Sequence, residues 1–305
     1  MTPIEAAILR TVIYADLFSF PLNRCELHHY LIADQPHSLA EIEQALNNSA
    51  FLKQVLEFPQ EYIICAGRHE IIAIRAAHES ASKKLWSPAL RCGEWLARLP
   101  FVRMVALTGA LAVRNASDND DDLDYVLVTA TRRVWLARAF AILLVRLGKT
   151  RGVVICPNYV LAVTALEQEK QDLFMAHEVA QMLPIYGIPL YEQMRARNAW
   201  VSAYLPNANQ PYFTEAERLP GRGWRTLKGV AEWLLGGRLG DALEKWEYQR
   251  KLRRFADNLR TPNSAAVLDE QHVKGHFQDH GHPVMQEYEQ RLRQYNLETL
   301  PLAGD

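Results

Sequence analysis

Apolar residues recur along this chain with two distinct periods, and the alternation outlines the elements. Thr2-Pro3-Ile4-Glu5 is a capping box with proline at the first helical position, and Ile4, Ile8, Leu9, Val12 and Ile13 follow on one helical face. A second helix is predicted after Pro21 from Leu22, Cys25, Leu27 and Leu31. A third opens at the Ser38-Leu39-Ala40-Glu41 box with Leu39, Ile42 and Leu46. Two β-rich runs, Tyr62-Ile63-Ile64-Cys65 and Ile71-Ile72-Ala73-Ile74, flank Gly67-Arg68 and predict a hairpin. Lys83 to Leu99 reads as a helix, after which the period shortens to that of a strand over 102–107. A turn and short helix at Gly109 lead to a second strand over 123–128 and a helix from Thr131 to about Leu147. Further strand candidates lie at Gly152 to Cys156 and Asn158 to Val163, around Pro157. Strand, helix, strand, helix, strand defines an α/β core. From Lys170 the period is helical again: Phe174, His177, Val179, Ala180 and Met182 form one amphipathic stretch, and Val284 to Tyr295 the final helix. Three parts are expected, over residues 1–80, 81–167 and 168–305.

Composition narrows the class. The 305 residues exceed the roughly 100–200 of one ordinary domain. Hydrophobic residues at 49% and charged ones at 23% are globular usage and argue against disorder. The start lacks the basic region of a secretory signal. The most apolar stretch, Val134 to Val145, is broken by Arg138 and falls short of the about 20 residues that span a bilayer. No membrane partner is therefore expected. Cys25, Cys65, Cys92 and Cys156 lie far apart without a C-x-x-C pair, as reduced thiols of a cytoplasmic protein would.

Three helices followed by a hairpin resemble a winged helix, a fold that often binds DNA. Charge argues otherwise: residues 1–80 carry five basic and ten acidic residues. DNA affinity rests largely on Lys and Arg neutralising phosphates, so a protein partner is expected here instead. Net charge overall is −1, because residues 218–260 hold eleven basic residues against five acidic ones, with Trp224, Trp233 and Trp246 interleaved. That stretch reads as packed helices with solvated charges, or as a surface for a triphosphate or polyanionic acceptor.

The chemistry concentrates in Leu107-Thr108-Gly109-Ala110, eleven further residues, then Asp122-Leu123-Asp124-Tyr125. Strand residues i and i+2 project to one face, so Asp122 and Asp124 point together. Two carboxylates about 6 Å apart repel by roughly 3 kcal/mol at an effective dielectric near 20, and a cation offsets that repulsion. Hard oxygen ligands suit Mg²⁺ or Mn²⁺, with water and phosphates completing the shell. Gly109 ends one strand and opens a helix, where free backbone N–H groups attract an anion. Asp118 to Asp121 read as a solvated loop.

These residues resemble the nucleotidyltransferase superfamily of DNA polymerase β, poly(A) polymerase and the antibiotic nucleotidyltransferases, whose pattern is a hydrophobic residue, Gly, Gly or Ser, a spacer, and Asp-hydrophobic-Asp or Glu. Leu107, Gly109, Asp122 and Asp124 match it over roughly a tenth of the chain. The wider order also looks like bacterial nucleotidyltransferase-like proteins of unassigned substrate. The resemblance implies an α/β (α+β) nucleotidyltransferase core between an N-terminal winged-helix-like domain and a helical C-terminal extension. It implies that Gly109 and Ala110 bind the nucleotide and that Asp122 and Asp124 hold the divalent ions that align an NTP with an acceptor hydroxyl. The expected reaction moves an NMP from an NTP to a hydroxyl of a small molecule or protein. Its rival is a non-catalytic nucleotide-binding regulator signalling through residues 1–80. Two departures stand out. Ala110 replaces the family's Ser or Gly, and no acid lies between Gly152 and Leu166, where a third carboxylate is expected. Asn158 is the most plausible polar occupant there, unless Glu167 or Glu178 reaches in.

His272, His276, His280 and His282 cluster near the end. On a helix, His272 and His276 would share a metal-binding face, although Gly275 and Gly281-His282-Pro283 interrupt helical continuity. Alternatively, Lys274 and His276 contact the nucleotide phosphates.

Overall fold

The computed structural model describes residues 1–119, 121–149, 154–259, 266–274 and 281–300. The N-terminal unit starts with α1 (Pro3–Asp16), whose Thr2 hydroxyl accepts from the Glu5 N–H while the Glu5 carboxylate accepts from the Thr2 N–H at 2.6 Å. β1 (Leu22–Asn23) and α2 (Arg24–His29) follow, then α3 (Leu39–Asn48), α4 (Ala50–Val55), β2 (Leu56–Glu57) and β3 (Tyr62–Cys65). Asn23 with Glu26, and Ser38 with Glu41, close two more capping boxes. The three strands form an antiparallel sheet of order β1-β3-β2.

The hairpin partner differs from expectation. Tyr62–Cys65 pairs with Leu56 and Glu57, whereas Ile71–Ile74 lies in α5 (Glu70–Ala97). A four-residue apolar run is ambiguous between strand and helix. The Ala, Glu and Lys that follow are helix formers, and Ile71 and Arg75 are buried at i, i+4 spacing. α5 continues without a break past residue 80.

The core sheet has the order β7-β4-β5-β6-β9-β8. β4 (Val102–Leu107) leads through α6 (Gly109–Ala112) to β5 (Leu123–Thr129), its antiparallel neighbour. α7 (Val134–Lys149) crosses over to β6 (Ile155–Ala162), which runs parallel to β5. Instead of two strands around Pro157, one strand passes through it. Its register shifts between the Asp124 and Val126 pairings, so the bulge falls at Pro157 and Asn158.

The expectation of a purely helical C-terminal region requires correction. After α8 (Leu173–Ala180), β7 (Leu183–Tyr186) adds to the free edge of β4. Pro184 is tolerated because an edge strand needs fewer ladder donors. α9 (Ile188–Arg197), a 3₁₀ turn (Ala199–Ala203), α10 (Arg222–Leu235) and α11 (Arg238–Leu259) precede β8 (Val267–Leu268) and β9 (His272–Lys274), which extend the other edge through β6. α12 (Gly281–Arg293) follows. These late strands are only two to four residues long, too short for their alternation to register as a pattern.

The result is a mixed α/β protein with two cores. One packs α7 and the second half of α5 on one side of the sheet. The other joins the N-terminal unit to the opposite side, together with α8, α9 and α12. Tyr14 of α1 meets Tyr288 of α12 edge-on at 5.4 Å, and buried Asp16 takes both Arg68 and Arg291. No described helix is long and apolar enough to cross a membrane. The four cysteines are free thiols.

Candidate functional site

The end of β4 and the start of β5 are locked together. Leu107 pairs with Tyr125, and the Thr108 N–H donates to the Asp124 carbonyl at 3.0 Å. The chain then turns at Gly109 with φ +69°, a left-handed conformation that favours glycine. A Cβ at this position would lie 2.8 Å from Asp124 Oδ2. Gly109 and Asp124, fifteen positions apart in sequence, are therefore close neighbours, and both the dihedral and the carboxylate favour glycine here. α6 has only four residues, so any pull on an anion comes from individual N–H groups more than from a helix dipole. Ala110 is exposed beside it.

Asp124 is half-buried on β5, opposite Cys156 of β6. Burial pushes its carboxyl up to about 7; a hydrogen bond with the Cys156 thiol works against this, and the negative charges of Asp122, Glu178 and Asp121 add to it. Burial and Asp124 together push the thiol up to about 12, so it stays protonated. Asp122 lies just before β5 and is exposed. Asp121 departs from a simple solvated loop: its carboxylate accepts from the Ser117 N–H at 2.8 Å and the Asp122 N–H at 3.1 Å. It thereby shapes the turn that delivers the Asp pair. Asp120 lies outside the described residues.

A further carboxylate acts on Asp124 from elsewhere in the chain. Glu178 of α8 acts on Asp124; burial raises its own carboxyl while the Lys274 ammonium opposes the rise. Lys274, at the end of β9 opposite Tyr159, thus joins the cluster, whereas Glu167 is exposed. Asn158, in the bulge of β6, buries its Oδ1 without a hydrogen-bond partner. Arg138 of α7 went unnoticed in the sequence except as a break in an apolar run. It interacts with Cys156 and Glu247, and its Nε is buried without a partner. A lone arginine inside an otherwise apolar helix face was the available signal.

His276 lies outside the described residues. His272 sits on strand β9, not on a helix, with its Nδ1 3.1 Å from Asp269 and its ring stacked on Tyr159. The basic C-terminal stretch also divides. Lys228 of α10 is buried, donating to the Ala97 and Val102 carbonyls, and Glu232 pairs with Arg103. These contacts hold α10 at the start of β4, about 17 Å along the strand from Leu107, after which the chain turns at Gly109, at about 3.3 Å per residue. That part cannot receive a phosphate bound at Gly109.

Among the described residues no group of three or more His, Cys, Asp or Glu is arranged to hold a metal ion by itself. What fits a divalent ion is the chemistry of the donors: carboxylate oxygens of Asp122 and Asp124, mutually repelling, beside a cradle that a Cβ would fill. Such a set leaves room for water and phosphate oxygens, as Mg²⁺ requires. A cavity of about 610 Å³ opens from Gly109, Ala110, Asp121 and Glu178 toward the N-terminal unit. No family model, curated protein or solved structure matches the chain.

Proposed function

We propose that the protein is a Mg²⁺- or Mn²⁺-dependent nucleotidyltransferase that moves an NMP from an NTP to a hydroxyl of a small molecule or protein and releases pyrophosphate. The observation that carries this reading is the contact of a side-chain-free, left-handed Gly109 with Asp124, in a cluster that also includes Asp122 and Glu178. In it, Gly109 and Ala110 let the triphosphate approach the backbone, and Asp122 and Asp124 hold the divalent ions. Those ions supply the positive charge that neutralises the triphosphate and favours attack at the α-phosphate.

Glu178 fills the role of the missing third carboxylate. Burial keeps its proton affinity above that of an ordinary glutamate, which suits it to take the proton of the acceptor hydroxyl. The acceptor oxygen forms a bond to the α-phosphorus, the bond from that phosphorus to the β-bridging oxygen breaks, and pyrophosphate leaves with its electrons. Lys274, which acts on Glu178, is the cation for the phosphates; His276 belongs with Lys274 in the same expectation.

The element order of residues 1–80 and the sheet order β1-β3-β2 support a winged-helix-like N-terminal domain. Its acidic balance makes a protein a better partner than DNA. Reduced cysteines fit a cytoplasmic setting. A pyrophosphate-release assay over a panel of NTPs and hydroxyl compounds tests the reaction: release by the wild type, and loss of at least about a hundredfold in Asp124→Asn and Glu178→Gln, is expected. Equal release from all three would refute the assignment.

One observation favours a second reading, a non-catalytic nucleotide-binding regulator. Tyr14 of α1 stacks on His177, the neighbour of Glu178, at 4.2 Å, so the N-terminal unit contacts the helix that carries the site. Mg²⁺-dependent NTP binding without release over the whole panel would favour that reading.

A further inference from the structure

The cavity beside the carboxylates has a wall that nucleotide transfer alone does not explain. Tyr14, Phe18, Phe20 and Tyr30 of the N-terminal unit face Phe174 of α8 across about 610 Å³, the size of a small-ligand pocket. Among the described residues, no Lys or Arg lines it; its charged groups are Asp121 and Glu178. An anion deep in it would meet like charge and no compensating cation, so the triphosphate stays at the rim formed by Gly109 and Ala110.

His177 gives a second, independent sign of a ligand. It lines the cavity, it is 5% exposed, and its Nε2 is buried with no hydrogen-bond partner. Its ring is neutral, because burial depresses its pKa to about 3. Nδ1 lies 3.4 Å from the Gln181 amide nitrogen. With that amide donating to Nδ1, the ring proton sits on Nε2, so the unmatched group is a donor. An unsatisfied buried donor is costly, and a ligand oxygen that reaches it through a small shift of the cavity wall now covering it would satisfy it.

We propose that this cavity is the acceptor subsite, and that the acceptor is a small, uncharged or cationic ring compound carrying a hydroxyl. Aromatic side chains of the N-terminal unit pack on its ring, His177 Nε2–H donates to one of its oxygens, and its reacting hydroxyl lies toward Glu178. The N-terminal unit is then part of the substrate pocket, whose size suits a small acceptor. This assignment rests on the transferase reading above.

The test is calorimetric titration of the full chain with 2-naphthol, a neutral ring with one hydroxyl, and with naphthalene-2-sulfonate, the same ring carrying an anion. Saturable 2-naphthol binding and no sulfonate binding are expected. Ala15→Trp, which fills the cavity from α1, should weaken 2-naphthol binding by more than about tenfold. His177→Phe preserves the stack on Tyr14 and should weaken it about threefold to tenfold, the worth of one hydrogen bond. Mg²⁺ with the four α,β-methylene NTPs should leave 2-naphthol bound. Absence of 2-naphthol binding, a preference for the sulfonate, or unchanged affinity in either variant would overturn the assignment. Displacement by the nucleotides would also overturn it, since the cavity would then seat the base. Undiminished 2-naphthol binding with no nucleotide binding at all would identify the transferase reading as the failure: the acceptor role would fall, and a ring-binding cavity would stand.

Discussion

Glu26 and Asp124 are both carboxylates withdrawn from water, and their surroundings are opposites. Glu26 is 2% exposed and meets the Arg75 guanidinium through both oxygens, at 2.7 and 3.2 Å. Asp16, also buried, has Arg68 on one side and Arg291 on the other. Asp124 has a thiol and three other carboxylates acting on it. Where a buried charge ties elements together, this chain supplies the opposite charge; at the start of β5 it supplies more of the same. On the proposed function, the charge that balances this repulsion arrives with a ligand.

The largest test of the contrast is on the structural side. Arg75→Ala leaves Glu26 buried without its partner and is expected to cost about 3–5 kcal/mol in denaturant unfolding. A loss under about 1 kcal/mol would mean that the pairing does not hold α5 to α2. Gly109→Ala forces a side chain into a left-handed residue and against Asp124, an expected loss of about 1–2 kcal/mol, together with loss of Mg²⁺-dependent nucleotide binding. An Ala variant that binds normally would remove the cradle from the site. Asp124→Asn should act in the opposite direction on stability. It relieves like-charge repulsion and is expected to raise metal-free stability by on the order of 1 kcal/mol. A destabilised Asn variant would place Asp124 with Glu26, as a structural group.

The smallest expected effect is in pH dependence. His177 is depressed to about 3 and His29 to about 4, in both cases mainly by burial. The unfolded chain binds protons near 6.5 that the folded chain refuses, so their stabilising effect is complete above that pH and declines as pH falls toward the folded values. Melting temperature should therefore drop below about pH 6.5, and the His177→Phe slope should be shallower. Parallel slopes would show that His177 is not held neutral by the fold.

The legible parts of the fold were those written in local chemistry. Two capping boxes marked α1 and α3, the apolar spacing after Pro21 marked α2, and the Gly109 and Asp122–Asp124 spacing marked the end of β4 and the start of β5. Ile71–Ile74 misled because a short apolar run has no period of its own, and Arg75 needed Glu26, 49 positions away, to reveal its buried side. The proximity of Glu178 to Asp124 was open only as one of two candidates. It depends on how α8 packs against the sheet, which no local pattern encodes. The cavity was illegible for the same reason, since its walls come from α1, α6, α8 and α12.

The central claim is that the carboxylates at the start of β5 await a metal-bound nucleotide. Equilibrium dialysis of the wild-type chain and Asp124→Asn against the four α,β-methylene NTPs, with Mg²⁺ and with EDTA, tests it most directly. The account predicts binding of at least one nucleotide by the wild type in Mg²⁺, none in EDTA, and a loss of at least about tenfold in the folded Asn variant. Binding equal in Mg²⁺ and EDTA, equal in both proteins, or absent for all four nucleotides would contradict it.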